Sequence, residues 1–117
     1  MPRSFEEERE NVGAGWQPLV DELHAQINVI VGDHQILQIK EKFGGLRYYY
    51  TLSGATADQI AQVRDLVGVA EHASFSICEE CGEPGEPFTL GGYVSTRCIE
   101  HRQAAIDRRK QVWEEGS

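Results

Sequence analysis

Residues 78–101, CEECGEPGEPFTLGGYVSTRCIEH, contain all three cysteines of this 117-residue chain. Two residues separate Cys78 from Cys81, two separate Cys98 from His101, and 16 residues lie between the pairs. Three thiolates and one imidazole in two such pairs form the ligand set of closed, tetrahedral zinc sites. The spacing therefore predicts a structural Zn²⁺ bound by these four side chains.

The same ligand set argues against catalysis at the metal. Four protein ligands leave no coordination position open for water. The nucleobase-deaminase signature also fails, because Ile77 rather than proline precedes Cys78 and the nearby order is Glu71-His72. His72 is kept as an alternative fourth ligand in place of His101. Once the cysteines are assigned, no Cys/His or Ser/His/Asp arrangement remains, so we expect no enzymatic activity.

The segments around the ligand pairs predict a small finger. FTLGGYVST, residues 88–96, alternates about Gly91-Gly92, as in a short β-hairpin. The second ligand pair runs directly into the helical pattern IEHRQAAIDRRKQVW, residues 99–113. A ligand knuckle, a hairpin and a helix that begins at the second pair are typical of a treble-clef-like zinc finger, here over residues 77–117.

Two further helices are predicted before the finger. Apolar residues from Leu19 to Ile30 recur at spacings of three and four, which predicts a helix over residues 17–31 that ends at Gly32. Thr56 and Gln59 form a capping-box pattern, which predicts a second helix over residues 57–75. The first 14 residues are polar and charged, and we expect a flexible segment there.

Residues 35–52 alternate with a period of two on either side of Gly44-Gly45, which predicts a β-hairpin with these glycines as its turn. One face of that register is apolar and Glu41 is its one charged exception. That face carries Leu37, Ile39, Phe43, Leu46, Tyr48, Tyr50 and Leu52. The opposite, wet face carries Ile36, Gln38, Lys40, Lys42, Arg47, Tyr49 and Thr51. Four residues of the wet face are candidate partner-binding residues: Lys40, Lys42, Arg47 and Tyr49. A solvated sheet face is the alternative.

Together these elements predict an α+β fold. A flexible segment, residues 1–14, precedes a helix–β-hairpin–helix body, residues 15–76, and a C-terminal treble-clef-like zinc finger, residues 77–117. A lone hairpin is marginal in water, so the two amphipathic helices are expected to cover its apolar face.

Composition narrows the classes of partner and compartment. A formal net charge of −8 argues against general affinity for nucleic acids. Positive charge is nevertheless concentrated in residues 35–52 and 102–110. No apolar run reaches the ~18 residues of a membrane span, and the N-terminus has no apolar core of a signal peptide. The expected location is the cytoplasm.

Two pairs of segments resemble small, uncharacterised proteins encoded by bacteriophages and prophages. They are GWQPLVDELH (15–24) with QIKEKFGGLRYYY (38–50), and CEECGEPG (78–85) with GGYVSTRCIEHR (91–102). The similarity covers residues 15–102. It implies a helix–hairpin–helix body followed by a Cys/His zinc finger, in a phage accessory setting inside a bacterial host. It implies no particular activity.

Two functions are compatible with these features. The first is a non-catalytic, zinc-binding accessory protein that binds a host or phage protein, with inhibition of that partner as one outcome. The second is a nucleic-acid-binding module that uses the basic hairpin face and the basic tail. The tail carries Arg102, Arg108, Arg109 and Lys110 beside Trp113. Neither a membrane nor a small-molecule substrate is expected.

Overall fold

The computed structural model describes residues 4–115 and is an α+β fold with four helices and two antiparallel hairpins. Residues 1–3 and 116–117, which the expected N-terminal segment and finger include, lie outside the described residues. No helix in residues 4–115 is long and apolar enough to cross a membrane. The elements are α1 (Phe5–Arg9), α2 (Gln17–Val31), β1 (Gln35–Lys42), β2 (Gly45–Thr51), α3 (Ala57–Ser74), β3 (Glu86–Leu90), β4 (Tyr93–Arg97) and α4 (Ile99–Glu115).

Helices α2 and α3 form where local signals predict them. Pro18 occupies the first turn of α2, and Gly32, with φ of 75°, ends it. At the start of α3 the Thr56 side chain accepts from the Gln59 N–H, and the Gln59 side chain accepts from the Thr56 N–H. The two helices pack their apolar faces against the first hairpin. The shared core contains Trp16, Val20, Leu23, Ile27, Ile36, Ile39, Leu46, Tyr48, Val63, Val67 and Ala70.

The N-terminal segment differs from the expected flexible chain, because residues 4–14 include helix α1 and pack on the body. Ser4 caps α1 by accepting from the Glu7 N–H. Glu8 is buried, and its carboxylate accepts from the Ile39 N–H on the free edge of β1. Arg9 donates two hydrogen bonds of 2.8 and 2.9 Å to Asp21 of α2. These contacts hold a five-residue helix that would not be stable alone.

Residues 43–44, not 44–45, form the turn of the first hairpin, so the predicted turn is wrong by one residue and the pairing that it implies is wrong by two. Lys42 pairs with Gly45 across the turn. Phe43 and Gly44 have φ of 54° and 84°, as the favoured two-residue hairpin loops require. A Cβ on Gly45 would collide with the Phe75 ring, so close packing rather than turn geometry requires a glycine there.

The predicted apolar face is also wrong at both ends of β1. A bulge between Ile36 and Gln38 shifts the register, so Ile36 and Ile39 are both buried and Leu37 is 48% exposed. Phe43 leaves the core face for the turn and is 69% exposed. Glu41 is exposed near the turn, where its carboxylate accepts from the Gly44 N–H at 3.1 Å.

Side chains of α3 cover the free edge of β2. The Leu46 N–H donates to the Ser74 hydroxyl at 2.8 Å, and the Tyr48 N–H donates to the Glu71 carboxylate at 3.0 Å. With Glu8 of α1 on the other edge, both sides of this two-stranded sheet have partners for main-chain donors that would otherwise face solvent. The polar groups buried beside the hairpin therefore complete its hydrogen bonding.

The second hairpin has the predicted Gly91-Gly92 turn, with φ of 60° and 85°. It contacts the first hairpin, where the buried Thr96 hydroxyl donates to the Gly44 carbonyl. Helix α4 begins directly after β4. The predicted body, residues 15–76, and the predicted finger, residues 77–117, are therefore in contact. The domain boundaries at residues 14 and 76 stay predictions.

A chain of polar rings joins α2, β1 and β2. The Tyr48 hydroxyl lies 2.8 Å from His24 Nδ1 and 2.7 Å from His34 Nε2. Burial lowers the pKa of both histidines below 6.5, and the neighbouring charge of His34 lowers the pKa of His24 further. The folded protein therefore favours both imidazoles in the neutral form.

Stability should fall as the pH drops through about 6.5, because the unfolded chain then binds protons that His24 and His34 resist in the fold. Above that pH this contribution is fully present. The measurement is urea unfolding at constant zinc concentration between about pH 7.5 and 5.5. His24→Asn should reduce the slope, and His72→Asn, at an exposed site, should leave it unchanged. Equal slopes for both variants would contradict the assignment.

Candidate metal centre

The four residues that the sequence pairs as ligands lie together in the structure. One ligand atom from each of Cys78, Cys81, Cys98 and His101 falls within 4.8 Å of the others. The first pair follows α3, Cys98 follows β4, and His101 lies in the first turn of α4. His72 is exposed on α3 and is not part of the group. The four side chains can hold a metal ion, and the cluster is compatible with a zinc finger.

The first ligand pair forms a tight loop around the Cys78 sulfur. The Gly82 N–H donates to the Cys78 carbonyl at 2.9 Å, and Gly82 has φ of 82°, which favours glycine. Burial alone would raise the pKa of Cys78. Main-chain N–H groups of Cys98, Cys81 and Glu80 point at its sulfur and hold that pKa at about 6. The loop therefore stabilises a thiolate before any metal is bound.

The pKa of Cys81 is shifted in the opposite direction, because its sulfur lies beside those of Cys78 and Cys98. The Glu83 N–H lowers its pKa, but burial and the sulfurs of Cys78 and Cys98 outweigh this and raise the pKa to about 11. Three adjacent thiolates repel one another without a cation. A metal ion removes that repulsion, since the thiolate is the form that binds metal.

Two charged residues that sequence reasoning missed surround the ligands. Glu80 Oε2 lies 3.8 Å from His101 Nε2 and 2.9 Å from Arg97 Nη1. His101 Nδ1 is the nitrogen that faces the sulfurs, so its other nitrogen faces a carboxylate. Carboxylates in this position orient ligating histidines. The two adjacent glutamates inside the first pair were the available signal, but their partners come from β4 and α4.

The loop also rests on the start of α2. Trp16 is fully buried, and its indole N–H donates to the Ile77 carbonyl at 2.8 Å. The Gly15 N–H donates to the Glu79 carbonyl at 2.9 Å. A Cβ on Gly15 would collide with the Cys78 carbonyl oxygen. The ligand loop is therefore held by one side-chain and one main-chain donor from residues more than 60 positions earlier in the chain.

Gly15→Ala should destabilise the fold and weaken metal binding, because the added methyl must push α2 away from the Cys78 loop. Overpacking of this kind costs ~1–3 kcal/mol. Gly68→Ala is the matched control, since its Cβ meets nothing within 4 Å and it lies inside α3. That variant should be up to ~1 kcal/mol more stable. Chemical unfolding and zinc competition measure both, and a neutral Gly15→Ala would show that the contact is unimportant.

The four candidate partner-binding residues lie on the first hairpin, away from the metal ligands in sequence. Lys40 Nζ lies 5.8 Å from the centre of the Tyr49 ring. Arg47 Nη1 lies 3.8 Å from the Glu71 carboxylate, so its charge is partly offset. Lys42 Nζ lies 5.7 Å from the centre of the Phe43 ring. Their role in binding stays a prediction.

We compared the chain with protein-family models, with curated proteins and with solved structures. None of the three comparisons finds a match.

Proposed function

We propose that the chain is a non-catalytic zinc protein with a treble-clef-like finger, and that its first hairpin binds an acidic protein partner. Tetrahedral zinc with bonds of ~2.3 Å to sulfur and ~2.1 Å to nitrogen separates its ligand atoms by about 3.6–3.8 Å. Here Cys81 and Cys98 sulfurs are 3.8 Å apart, and Cys78 Sγ is 3.6 Å from His101 Nδ1. The Cys98 to His101 distance is shorter, at 3.2 Å.

The proposed role of zinc is structural. Both ligand pairs, the hairpin between them and α4 follow the order of a treble clef. All four tetrahedral positions would be filled by protein, which leaves none for a substrate or water. The metal would join the loop after α3, the end of β4 and the start of α4. These segments bury few large apolar side chains of their own.

The observation that carries the partner proposal is the conformation of Phe43. It is 69% exposed and has φ of 54°, a region that bulky side chains rarely occupy. Strain of ~1–3 kcal/mol at an exposed residue often accompanies function. Lys40 and Lys42 lie on the adjoining strand. An exposed aromatic side chain beside two lysines suits a partner that offers an apolar pocket beside carboxylates.

Phe43→Asn should stabilise the fold and weaken partner binding. Asparagine tolerates positive φ, and Asn-Gly is the preferred pair in this kind of turn, so a gain of ~0.5–1 kcal/mol is expected. Loss of an aromatic anchor costs ~2 kcal/mol or more of binding, which lowers affinity at least about thirtyfold. The measurements are chemical unfolding and quantitative capture of partners from bacterial lysate.

The matched control is Tyr93→Asn, because Tyr93 is an exposed aromatic residue beside the other hairpin turn. It should retain the partner that Phe43→Asn loses. Capture of the same proteins by both variants, in equal amounts, would reject the hairpin as the binding surface. Lys42→Ala should weaken the same complex further at low salt, because its charge meets the acidic partner.

A second candidate function, nucleic-acid binding, is favoured by one observation on α4. Trp113 is 78% exposed and follows Arg108, Arg109 and Lys110 by a few residues. Aromatic rings beside cations bind single-stranded nucleic acid by stacking and phosphate contact. This function predicts an affinity that falls steeply with salt and that Trp113→Ala reduces. Absence of any complex with single-stranded DNA at low salt would reject it.

The setting we propose is that of a phage-type accessory protein in a bacterial cell. The support is the resemblance of residues 15–102 to small phage and prophage proteins. A captured partner of host or phage origin would support the setting.

A further inference from the structure

A groove at the end of the first hairpin opposite the Phe43–Gly44 turn has features of a separate ligand site. Its volume is about 730 Å³, within the ~300–1,000 Å³ typical of small-ligand sites. It lies where α1, the end of α2 and the ends of β1 and β2 meet. Its polar and aromatic lining residues include Ser4, Phe5, His24, Asn28, Asp33 and His34. None of the metal ligands lines it.

Hydrogen bonds in the groove fix the protons on its two histidines. His34 Nδ1 lies 3.0 Å from Asn28 Oδ1. The amide oxygen is an acceptor, so Nδ1 carries the proton and Nε2 has a lone pair. That lone pair accepts from the Tyr48 hydroxyl at 2.7 Å. The hydroxyl proton of Tyr48 is therefore used in the hydrogen bond to His34.

The next link determines the state of His24. Because Tyr48 donates to His34, its oxygen must accept from His24 Nδ1–H at 2.8 Å. His24 Nε2 is then left with a free lone pair, and within residues 4–115 it has no hydrogen-bond partner. The Phe5 ring stacks on the imidazole with 3.7 Å between centroids and 6° between planes. The ring is therefore held on one face and by one nitrogen.

Charge around the groove selects the kind of ligand. Among the described lining residues there is no lysine or arginine, and Asp33 supplies a carboxylate. Glu6, Asp21 and Asp33 all favour a positive charge at the His24 ring, although Asp21 is paired with Arg9. The other ionisable groups that face the ring pair are Tyr48 and Tyr50. The groove thus offers acceptors and negative potential to its occupant.

We infer that this groove binds an organic cation with N–H donors, an alkylammonium or guanidinium group, which donates to His24 Nε2 and pairs with Asp33. An anionic ligand would meet no lysine or arginine among the lining residues in the part of the chain that the structure describes, and it would face the Asp33 carboxylate. The same chemistry is carried by a small free amine and by a lysine or arginine side chain of another protein. The site is independent of the metal centre and of the hairpin surface proposed above.

The first test is the proton position on the imidazoles. Long-range ¹H–¹⁵N NMR spectra of the zinc-loaded protein at about pH 7.5 should show both His24 and His34 protonated at Nδ1. A free histidine prefers the other tautomer, so this result is distinctive. A proton on His24 Nε2 would overturn the acceptor that the site requires.

The second test is titration with butylguanidinium and butylammonium, followed by the ¹⁵N resonances of His24 and His34, of which His34 reports on the His24→Asn variant. A saturable shift is expected, and His24→Asn and Asp33→Asn should each weaken it about tenfold, the loss of roughly one hydrogen bond or ion pair. Pentanoate, with a similar chain and opposite charge, should produce no saturable shift. Asp33 is exposed, so its variant tests binding without disturbing the core.

Two further arms separate the sources of the cation. Stronger binding of a blocked arginine tripeptide than of butylguanidinium would identify a protein side chain as the occupant, and weaker binding would identify a small free amine. Absence of a saturable shift with either cation at concentrations up to roughly 50 mM would overturn the inference, because a dissociation constant above that concentration is too weak for a specific site. Equal binding of pentanoate, or full binding by both variants, would overturn it as well.

Discussion

Cys98→Ser should unfold the finger while leaving the helix–hairpin–helix body folded. Structural zinc contributes ~10–16 kcal/mol of apparent binding free energy in isolated finger peptides, and a serine hydroxyl is a poor zinc ligand. Hydrogen exchange should therefore show loss of protection over residues 86–115 and retained protection in α2, β1, β2 and α3. The expected cause is loss of the proposed metal link between the loop after α3 and the start of α4.

The control for this prediction uses the two histidines that compete as the fourth ligand. His101→Ala should repeat the loss of protection, although less completely because three thiolates remain. His72→Ala should leave protection and zinc affinity unchanged, because His72 is exposed and outside the ligand group. If His72→Ala released the metal and His101→Ala did not, the ligand assignment would be wrong.

Trp16→Ala should be among the most destabilising single substitutions in the body. The side chain is fully buried in the shared core, and truncation of buried tryptophan costs ~3–5 kcal/mol. Domains of this size are stable by only ~5–15 kcal/mol in total. The substitution also leaves the Ile77 carbonyl without its 2.8 Å donor, next to Cys78 of the candidate metal centre. We therefore expect weaker zinc retention as well as lower stability.

Trp113→Ala is the matched control, since Trp113 is 78% exposed on α4. Its effect on the free energy of unfolding should stay within ~0.5 kcal/mol. Trp16→Phe separates packing from hydrogen bonding, because it keeps an aromatic ring and should cost ~1–3 kcal/mol for the unsatisfied carbonyl. Urea unfolding monitored by circular dichroism measures all three. Similar losses at Trp16 and Trp113 would contradict the core described above.

The helices were predictable because their ends depend on local chemistry. Pro18 and Gly32 bound α2, and the Thr56–Gln59 capping box starts α3, so each signal acts within a few residues of the position it fixes. The short helix α1 has a local cap in Ser4, but a cap on five residues does not make a stable helix. Its stability depends on the Glu8 carboxylate meeting the Ile39 N–H, 31 residues away, and that pairing leaves no local pattern.

The hairpin register failed because two adjacent glycines permit either turn. Tertiary packing decides between the two turns, because the Phe75 ring occupies the space that a Cβ at position 45 would fill. The bulge between Ile36 and Gln38 then moves Ile36 into the core and Leu37 out of it. Moving the turn by one residue shifts the cross-strand pairing by two, which leaves Ile39, Leu46 and Tyr48 on the same face, so the alternation of apolar residues could not distinguish the two turns.

At the metal centre the ligands were predictable and their supports were not. Ligand spacing is a local feature of the sequence, and all four residues converge. Glu80, Arg97 and Trp16 act through contacts between distant segments, which spacing does not encode. The His24–Tyr48–His34 chain is a similar case, because three separate elements bring its rings together.

The most direct measurement is the mass of the intact protein in its native state, before and after treatment with a strong zinc chelator. We predict one zinc ion per chain before chelation and none after it. As zinc leaves, the cysteine sulfurs should regain up to three protons, and the finger should refold when zinc is returned. Alkylation of the three cysteines should be slow before chelation and fast after it. A folded, metal-free chain with rapidly alkylated cysteines and unchanged hydrogen exchange in α4 would contradict the zinc site.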